Sequence, residues 1–173
     1  DRYGSVASWG DTALGGPNRP RDSGYRQVYS NLGAFVAIRQ DGSLTAWGSS
    51  NNGGTGAPGG TGYTQVFSTL NAFAAIKANG SLTVWGNNNF GGDPGPITGY
   101  AIMTGITTIS STNSAFAALK NDGSIVVWGN AAEGGKSGPT GTDWVEITSN
   151  EKSFTARKNN GTVFTWGGGL TAP

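Results

Sequence analysis

The sequence predicts an all-β repeat protein of β-propeller type, with four full repeats and one partial repeat forming a four- to five-bladed ring or an open arc. Three observations carry this. A segment opening on Phe and closing on Trp-Gly recurs unchanged in length at 35–47, 73–85, 116–128 and 154–166. Counting a truncated copy at the start, Trp9, Trp47, Trp85, Trp128 and Trp166 stand 38, 38, 43 and 38 residues apart. A period of about 40 residues marks solenoids, propellers and arrays. Each full segment also holds Asp-Gly or Asn-Gly at one fixed place, Asp41-Gly42, Asn79-Gly80, Asp122-Gly123 and Asn160-Gly161, between apolar residues. That is a hairpin signal.

In chain order, the partial repeat occupies 1–16 and full repeats follow at about 17–54, 55–92, 93–135 and 136–173, all within one domain. The opening at Asp1, inside a hairpin, reads as a processed protein or a piece of a longer array. Within a repeat, the Asp/Asn-Gly pair predicts a two-residue type I′ turn with positive φ at both positions. Counting outward, Arg39 faces Leu44, Ile38 faces Thr45, Ala37 faces Ala46 and Val36 faces Trp47. Alternation then places Val36, Ile38, Thr45 and Trp47 on one face and Phe35, Ala37, Leu44 and Ala46 on the other. Both faces are apolar, so each hairpin must be covered on both sides, as in stacked blades. A β-branched residue before each Phe (Val28, Val66, Ile109, Ile147) and a large apolar one before that (Tyr25, Tyr63, Ile106, Trp144) mark a further strand. After each Trp-Gly the pattern Gly-x4-Gly-Gly returns in the first four copies, ending at Gly16, Gly54, Gly92 and Gly135. Repeated glycines at fixed places signal positive φ or close backbone approach. The third repeat's extra length falls within 93–106, a Gly, Pro and Thr-rich surface loop.

Composition removes whole classes of function. The chain has no Cys and no His, which excludes the common zinc sites, thiol nucleophiles and serine–histidine triads. Lys and Arg number 11 against 10 Asp and Glu, so no net field draws nucleic acid or an anionic membrane. No apolar run reaches the roughly 18 residues of a membrane span. The glycine pairs are followed by neither a helix start nor Lys-Ser/Thr, which argues against a phosphate cradle. No cofactor and no metal are expected, and the protein reads as a non-enzyme. The compartment stays open, with an extracellular or cell-surface setting favoured.

The composite Phe-x-Ala-[Ile/Leu]-[Arg/Lys]-x-[Asp/Asn]-Gly-[Ser/Thr]-x-x-x-Trp-Gly-x4-Gly-Gly resembles the repeat of the regulator of chromosome condensation superfamily over nearly the whole chain. That resemblance implies a β-propeller of short antiparallel strands used as a binding platform: for nucleotide exchange on a small GTPase, for ubiquitin-ligase scaffolding or for capture of a β-lactamase. Three departures point away from chromatin and GTPase activities, towards a compact variety, the first being that the family's usual seven blades are not present. The family's His before the Phe column is Ala34, Ala72, Ala115 or Ser153 here, and Gly-Gly replaces Gly-Gln-Leu-Gly.

Candidate binding residues lie where the copies differ inside a fixed frame, in the loops 11–14, 49–52, 87–90 and 130–133. Asn51, Asn52, Asn88, Asn89 and Phe90 stand foremost, with a protein as the expected partner. A carbohydrate-binding or adhesive module, or a purely structural repeat, is the alternative. The column Arg39, Lys77, Lys120, Lys158 reads as solvated hairpin tips, and the Asp/Asn column reads as turn residues because Asp and Asn interchange freely. The Trp column reads as core. Arg157 replaces the apolar residues of earlier copies, and stacking on Phe164 would make it the solvent-facing cap of an end blade. With carboxylates too scattered to cage a cation, adding a chelator is expected to leave the melting temperature unchanged; a sharp drop would overturn the metal-free reading.

Overall fold

The computed structural model describes residues 4–93 and 104–169. Among the described residues, twelve strands form four three-stranded antiparallel sheets, each a simple meander. The first blade holds β1 (Tyr25–Ser30), β2 (Ala34–Arg39) and β3 (Leu44–Gly48). The second holds β4 (Tyr63–Ser68), β5 (Ala72–Lys77) and β6 (Leu82–Gly86). The third holds β7 (Ile106–Ser111), β8 (Ala115–Lys120) and β9 (Ile125–Gly129). The fourth holds β10 (Trp144–Ser149), β11 (Ser153–Lys158) and β12 (Val163–Gly167). Most of the long loop expected at 93–106 lies outside the described residues.

The hairpin turn is longer by one residue than the sequence suggests, and this changes the register. Arg39 N–H donates to Ser43 O and Gly42 N–H to Arg39 O, both at 2.9 Å, leaving a three-residue loop of Gln40, Asp41 and Gly42. Only Gly42 has positive φ, at 79°; Asp41 does not. Asp41 instead accepts the Ser43 amide at 2.9 Å and the Ser43 hydroxyl at 2.7 Å. Asn79, Asp122 and Asn160 accept the corresponding amides of Ser81, Ser124 and Thr162. The column therefore needs a short side-chain acceptor, which Asp and Asn share, and tolerance of positive φ plays no part.

The pairs become Ile38 with Leu44, Ala37 with Thr45, Val36 with Ala46 and Phe35 with Trp47. A slip of one residue moves a strand's whole side-chain set to the opposite face. Phe and Trp thus share a face, where the sequence count had separated them. Their rings stack with centroids 5.4, 5.4, 5.1 and 5.2 Å apart in the four blades.

One interface is used three times. Val36, Ile38 and half-buried Leu44 and Ala46 of the first blade pack on Tyr63, Val66, Phe73, Ala75 and Trp85 of the second. Ala74, Ile76 and Leu82 meet Ile109, Phe116 and Trp128 next, and Ala117 and Leu119 then meet Ile147, Phe154 and Trp166. Each interface is pinned by an indole: Trp85, Trp128 and Trp166 donate to Gly53, Gly91 and Gly134 O of the preceding blade at 3.0, 3.1 and 3.1 Å.

The four blades form an open arc. No apolar cluster of the described residues joins the fourth blade to the first. The outer face of the fourth is polar: Arg157 donates to Glu146 at 2.7 Å, and the Thr155 and Thr165 hydroxyls lie 2.9 Å apart. Arg157 caps an end as its charge suggests, but through Glu146. Phe164 pairs with Ala156 and points the other way, packing near Trp144 and Trp166 at 6.4 and 6.0 Å. The same one-residue register difference separates them.

Trp128 is 2% exposed whereas Trp9 is 85% exposed. Replacing Trp128 with Ala is expected to cost about 3–5 kcal/mol in chemical denaturation, and replacing Trp9 under about 0.5 kcal/mol; equal losses would contradict the core assignment. Asp41 and Asp122 are held below the ordinary 3.8, Asp41 first by the Ser43 amide and Asp122 first by the Ser124 hydroxyl. A carboxyl whose folded pKa is depressed stabilises the fold above its unfolded value, and that contribution disappears as pH falls through the folded value. The urea midpoint of the wild type should therefore fall as pH drops below 3.8. Asp41→Asn with Asp122→Asn should flatten that fall, as the natural Asn79 and Asn160 turns already do without titrating.

Candidate functional site

Three of the four Gly-x4-Gly loops fold as one 3₁₀ turn each, Ser50–Asn52, Asn88–Phe90 and Ala131–Glu133, while the first, at 11–15, is a hydrogen-bonded turn. The following Gly53, Gly91 and Gly134 close the turns at φ of 86°, 90° and 93°. Asn87 and Asn130 cap the second and third by accepting Asn89 N–H at 3.0 Å and Ala132 N–H at 2.9 Å. In the partial repeat Asp11 makes the same bond to Ala13 N–H at 2.7 Å. The second glycine of each pair is required by close approach, since a Cβ on Gly54 would stand 2.4 Å from Gly48 C and O.

The last carbonyl of each 3₁₀ turn is held by the turn joining the blade's first two strands. Asn31 Nδ2 donates to Asn52 O at 2.7 Å, Thr69 Oγ1 to Phe90 O at 2.8 Å and Thr112 Oγ1 to Glu133 O at 3.1 Å. The two loop sets therefore share one rim. The first-strand turns are also bonded to one another along the arc. Leu32, Leu70 and Asn113 N–H donate to Leu70, Asn113 and Glu151 O at 3.2, 2.9 and 2.8 Å. In the opposite sense, Ser68, Ser111 and Ser149 hydroxyls donate to Ser30, Ser68 and Ser111 O at 3.0, 2.7 and 2.7 Å. These turns line a groove of about 490 Å3 that runs from exposed Leu32 and Leu70 to Glu151. The groove escaped the sequence reading. Its signal was the Ser column 30, 68, 111 and 149, a fixed hydroxyl at the end of each first strand.

The expected site residues divide. Asn51, Asn88 and Asn89 face solvent on the rim. Asn52 is 8% exposed and donates to Leu70 O at 3.3 Å, so it ties the first blade's loop to the second blade's turn. Phe90 is half-buried against the cluster between the second and third blades. Both are spent within the fold.

The basic column is less free than solvated tips would be. Arg39, Lys77 and Lys158 lie over Tyr25, Tyr63 and Trp144 at 4.5, 4.7 and 4.8 Å from the ring centroids. Lys120, opposite Ile106, reaches Asp122 at 3.8 Å. In the first, second and fourth blades the aromatic residue opening the first strand is thus the platform for the basic residue across the sheet. Around Arg39 the arrangement closes on itself: Tyr25 OH donates to Asp22 at 2.7 Å, and Arg39 pairs with the same carboxylate. Those two bonds, the tyrosine's first, hold Asp22 below the ordinary carboxylate range, while burial pushes the Tyr25 hydroxyl up. Among the described residues, no three His, Cys, Asp or Glu side chains come together in a group that could hold a metal. No helix among them is long and apolar enough to cross a membrane.

No known family pattern matches the chain, and no curated protein does. Solved structures do. Human WBSCR16 is similar at 18% identity and a TM-score of 0.58, over 86% of this chain and 49% of that one. Prp20p from Saccharomyces cerevisiae, studied with its binding to Gsp1p and histones, is similar at 16% identity and a TM-score of 0.59, over 86% and 47%. The same yeast protein bound to Kap60, there called yeast RCC1, matches at 16% identity and 0.57, over 86% and 45%. The chain spans about half the length of these proteins. The shared fold is that of the regulator of chromosome condensation propeller, as the repeat motif led us to expect.

Proposed function

We propose that the chain is a non-enzymatic binding scaffold that offers its rim of 3₁₀ turns and first-strand turns to a protein partner. One observation carries this reading: the rim's backbone is the same in each repeat and locked by hydrogen bonds, while its outward side chains differ. A preorganised frame lowers the ordering cost of binding, and varied side chains supply specificity. Asn51, Asn88 and Asn89 present amides that both donate and accept. Leu32 and Leu70 add apolar surface beside them, at 64% and 38% exposure. The hairpin tips are poorer candidates because their charges already stack or pair within their own blades. That Prp20p was studied with protein ligands supports this use of the fold.

The test compares two variants of the intact chain against a partner captured from its native source. Replacing Asn51, Asn88 and Asn89 with Ala is expected to weaken binding at least about tenfold, in keeping with a loss of one or two kcal/mol at a contact centre. Replacing Arg39, Lys77, Lys120 and Lys158 with Gln should change affinity far less, and added salt should matter little. Binding abolished by the tip variant and untouched by the rim variant would overturn the assignment.

A further inference from the structure

The groove across the first-strand turns carries one column of side chains that the fold does not consume. The second residue of each turn is Leu32, Leu70, Asn113 or Glu151, the same position of the repeat each time. The backbone there is spent, since the amides of the first three donate to the carbonyls of the last three. The side chains are not, and all four line the groove. Along the arc they change in one direction, from two leucines through an amide to a carboxylate. Leu70 is 38% exposed although a blade packs on each side of its own. Glu151 is exposed, and no ion pair of the described residues engages it.

The groove is equally one-sided in its hydrogen bonding. The hydroxyls of Ser68, Ser111 and Ser149 have each given their proton to a carbonyl of the preceding blade. Those of Thr69 and Thr112 have given theirs to Phe90 and Glu133 O. A hydroxyl that has donated can still accept. No Lys or Arg lines the groove, and Glu151 is the one charged residue among those that do. An anionic ligand would meet lone pairs and a carboxylate. What suits this lining is a ligand with N–H donors at regular intervals, apolar at one end and cationic at the other. A peptide backbone supplies such donors at every residue but proline.

Spacing sets the length. Each turn is hydrogen-bonded to the next, so the turns step by roughly 5 Å, as paired strands do, and four of them span roughly 15 Å. An extended chain rises about 3.3 Å per residue and alternates its side chains, so about five residues cover the groove with alternate side chains facing it. We propose, building on the rim reading above, that the groove binds an extended segment of a protein partner, about five residues long. An apolar side chain at one end lies against Leu32 and Leu70, and an Arg or Lys at the other end pairs with Glu151. The segment's amides donate to the serine oxygens between them.

The probe is the peptide Leu-Thr-Leu-Thr-Arg, acetylated and amidated so that its termini carry no charge, titrated onto the full chain by calorimetry. It is expected to bind, and Leu-Thr-Leu-Thr-Glu is not. Glu151→Gln in the chain should weaken the Arg-ended peptide about tenfold, and Leu70→Asn should weaken it severalfold. Glu151→Arg should exchange the preference and take the Glu-ended peptide instead, which a merely structural role for Glu151 would not produce. Both side chains reach solvent, and an unchanged melting temperature checks that each variant is folded. With a single ion pair formed, added salt should weaken binding only slightly. No binding of the Arg-ended peptide, equal binding of the two peptides, or indifference to Glu151→Gln would each overturn the proposal. Against the captured partner, loss of binding in the Asn51, Asn88 and Asn89 variant but in neither groove variant would also overturn it, and would leave the rim reading standing. No loss in any of them would overturn both.

Discussion

The stack of each Phe on its Trp is the contact on which the rest of the molecule depends. It exists because a three-residue Asp/Asn-Gly loop pairs Phe35 with Trp47 and places both rings on one face. That face becomes a broad aromatic plate, and the opposite face, with Val36, Ile38 and Ala46, becomes the surface that fits the next plate. Two-residue turns would have put Phe and Trp back to back, and each blade would then present mixed faces. Dispersion and burial favour the plate, and the indole N–H gives it a direction by donating only to the preceding loop's glycine carbonyl.

The rim follows from that contact. The glycine carbonyl that receives the indole also ends the 3₁₀ turn, so core packing and loop geometry are one arrangement. The loop's last residue is then tied to the first-strand turn, and that turn to its neighbour along the arc. A side chain at Asn51, Asn88 or Asn89 can vary without disturbing this frame, whereas Asn52 cannot, because its amide is part of the frame. Fixed backbone with free side chains is the feature on which the proposed use of the rim rests. Here it arises as a by-product of how blades stack.

The polar outer face of the fourth blade answers the same contact. At the fourth blade, Arg157 stands where the earlier copies have Ile38, Ile76 and Leu119, and it pairs with Glu146. Propellers usually remove exposed ends by closing. Here the outer face of the fourth blade is instead sealed with charge.

Much of this was legible in the sequence because repetition amplifies weak signals. The constant Phe-to-Trp spacing, the Asp/Asn-Gly pairs and the two apolar faces specify stacked hairpins, and the charge at Arg157 specifies an end. The turn length was not legible: Asp-Gly and Asn-Gly suit both two- and three-residue loops, and only the bonds of Arg39 to Ser43 and of Asp41 to the Ser43 amide select the longer one. The fate of Phe164 and the Phe–Trp stack hung on that single residue, since strand alternation converts one residue of register into a change of face. The surroundings of the candidate residues were only partly legible. Variation between the copies singled out Asn51, Asn52, Asn88, Asn89 and Phe90 as candidates, but the burial of Asn52 and the packing of Phe90 depend on which blade stands beside the loop, a long-range fact that local pattern does not encode. The same holds for the cation–π pairs of Arg39, Lys77 and Lys158, whose partners lie a full strand earlier in the chain.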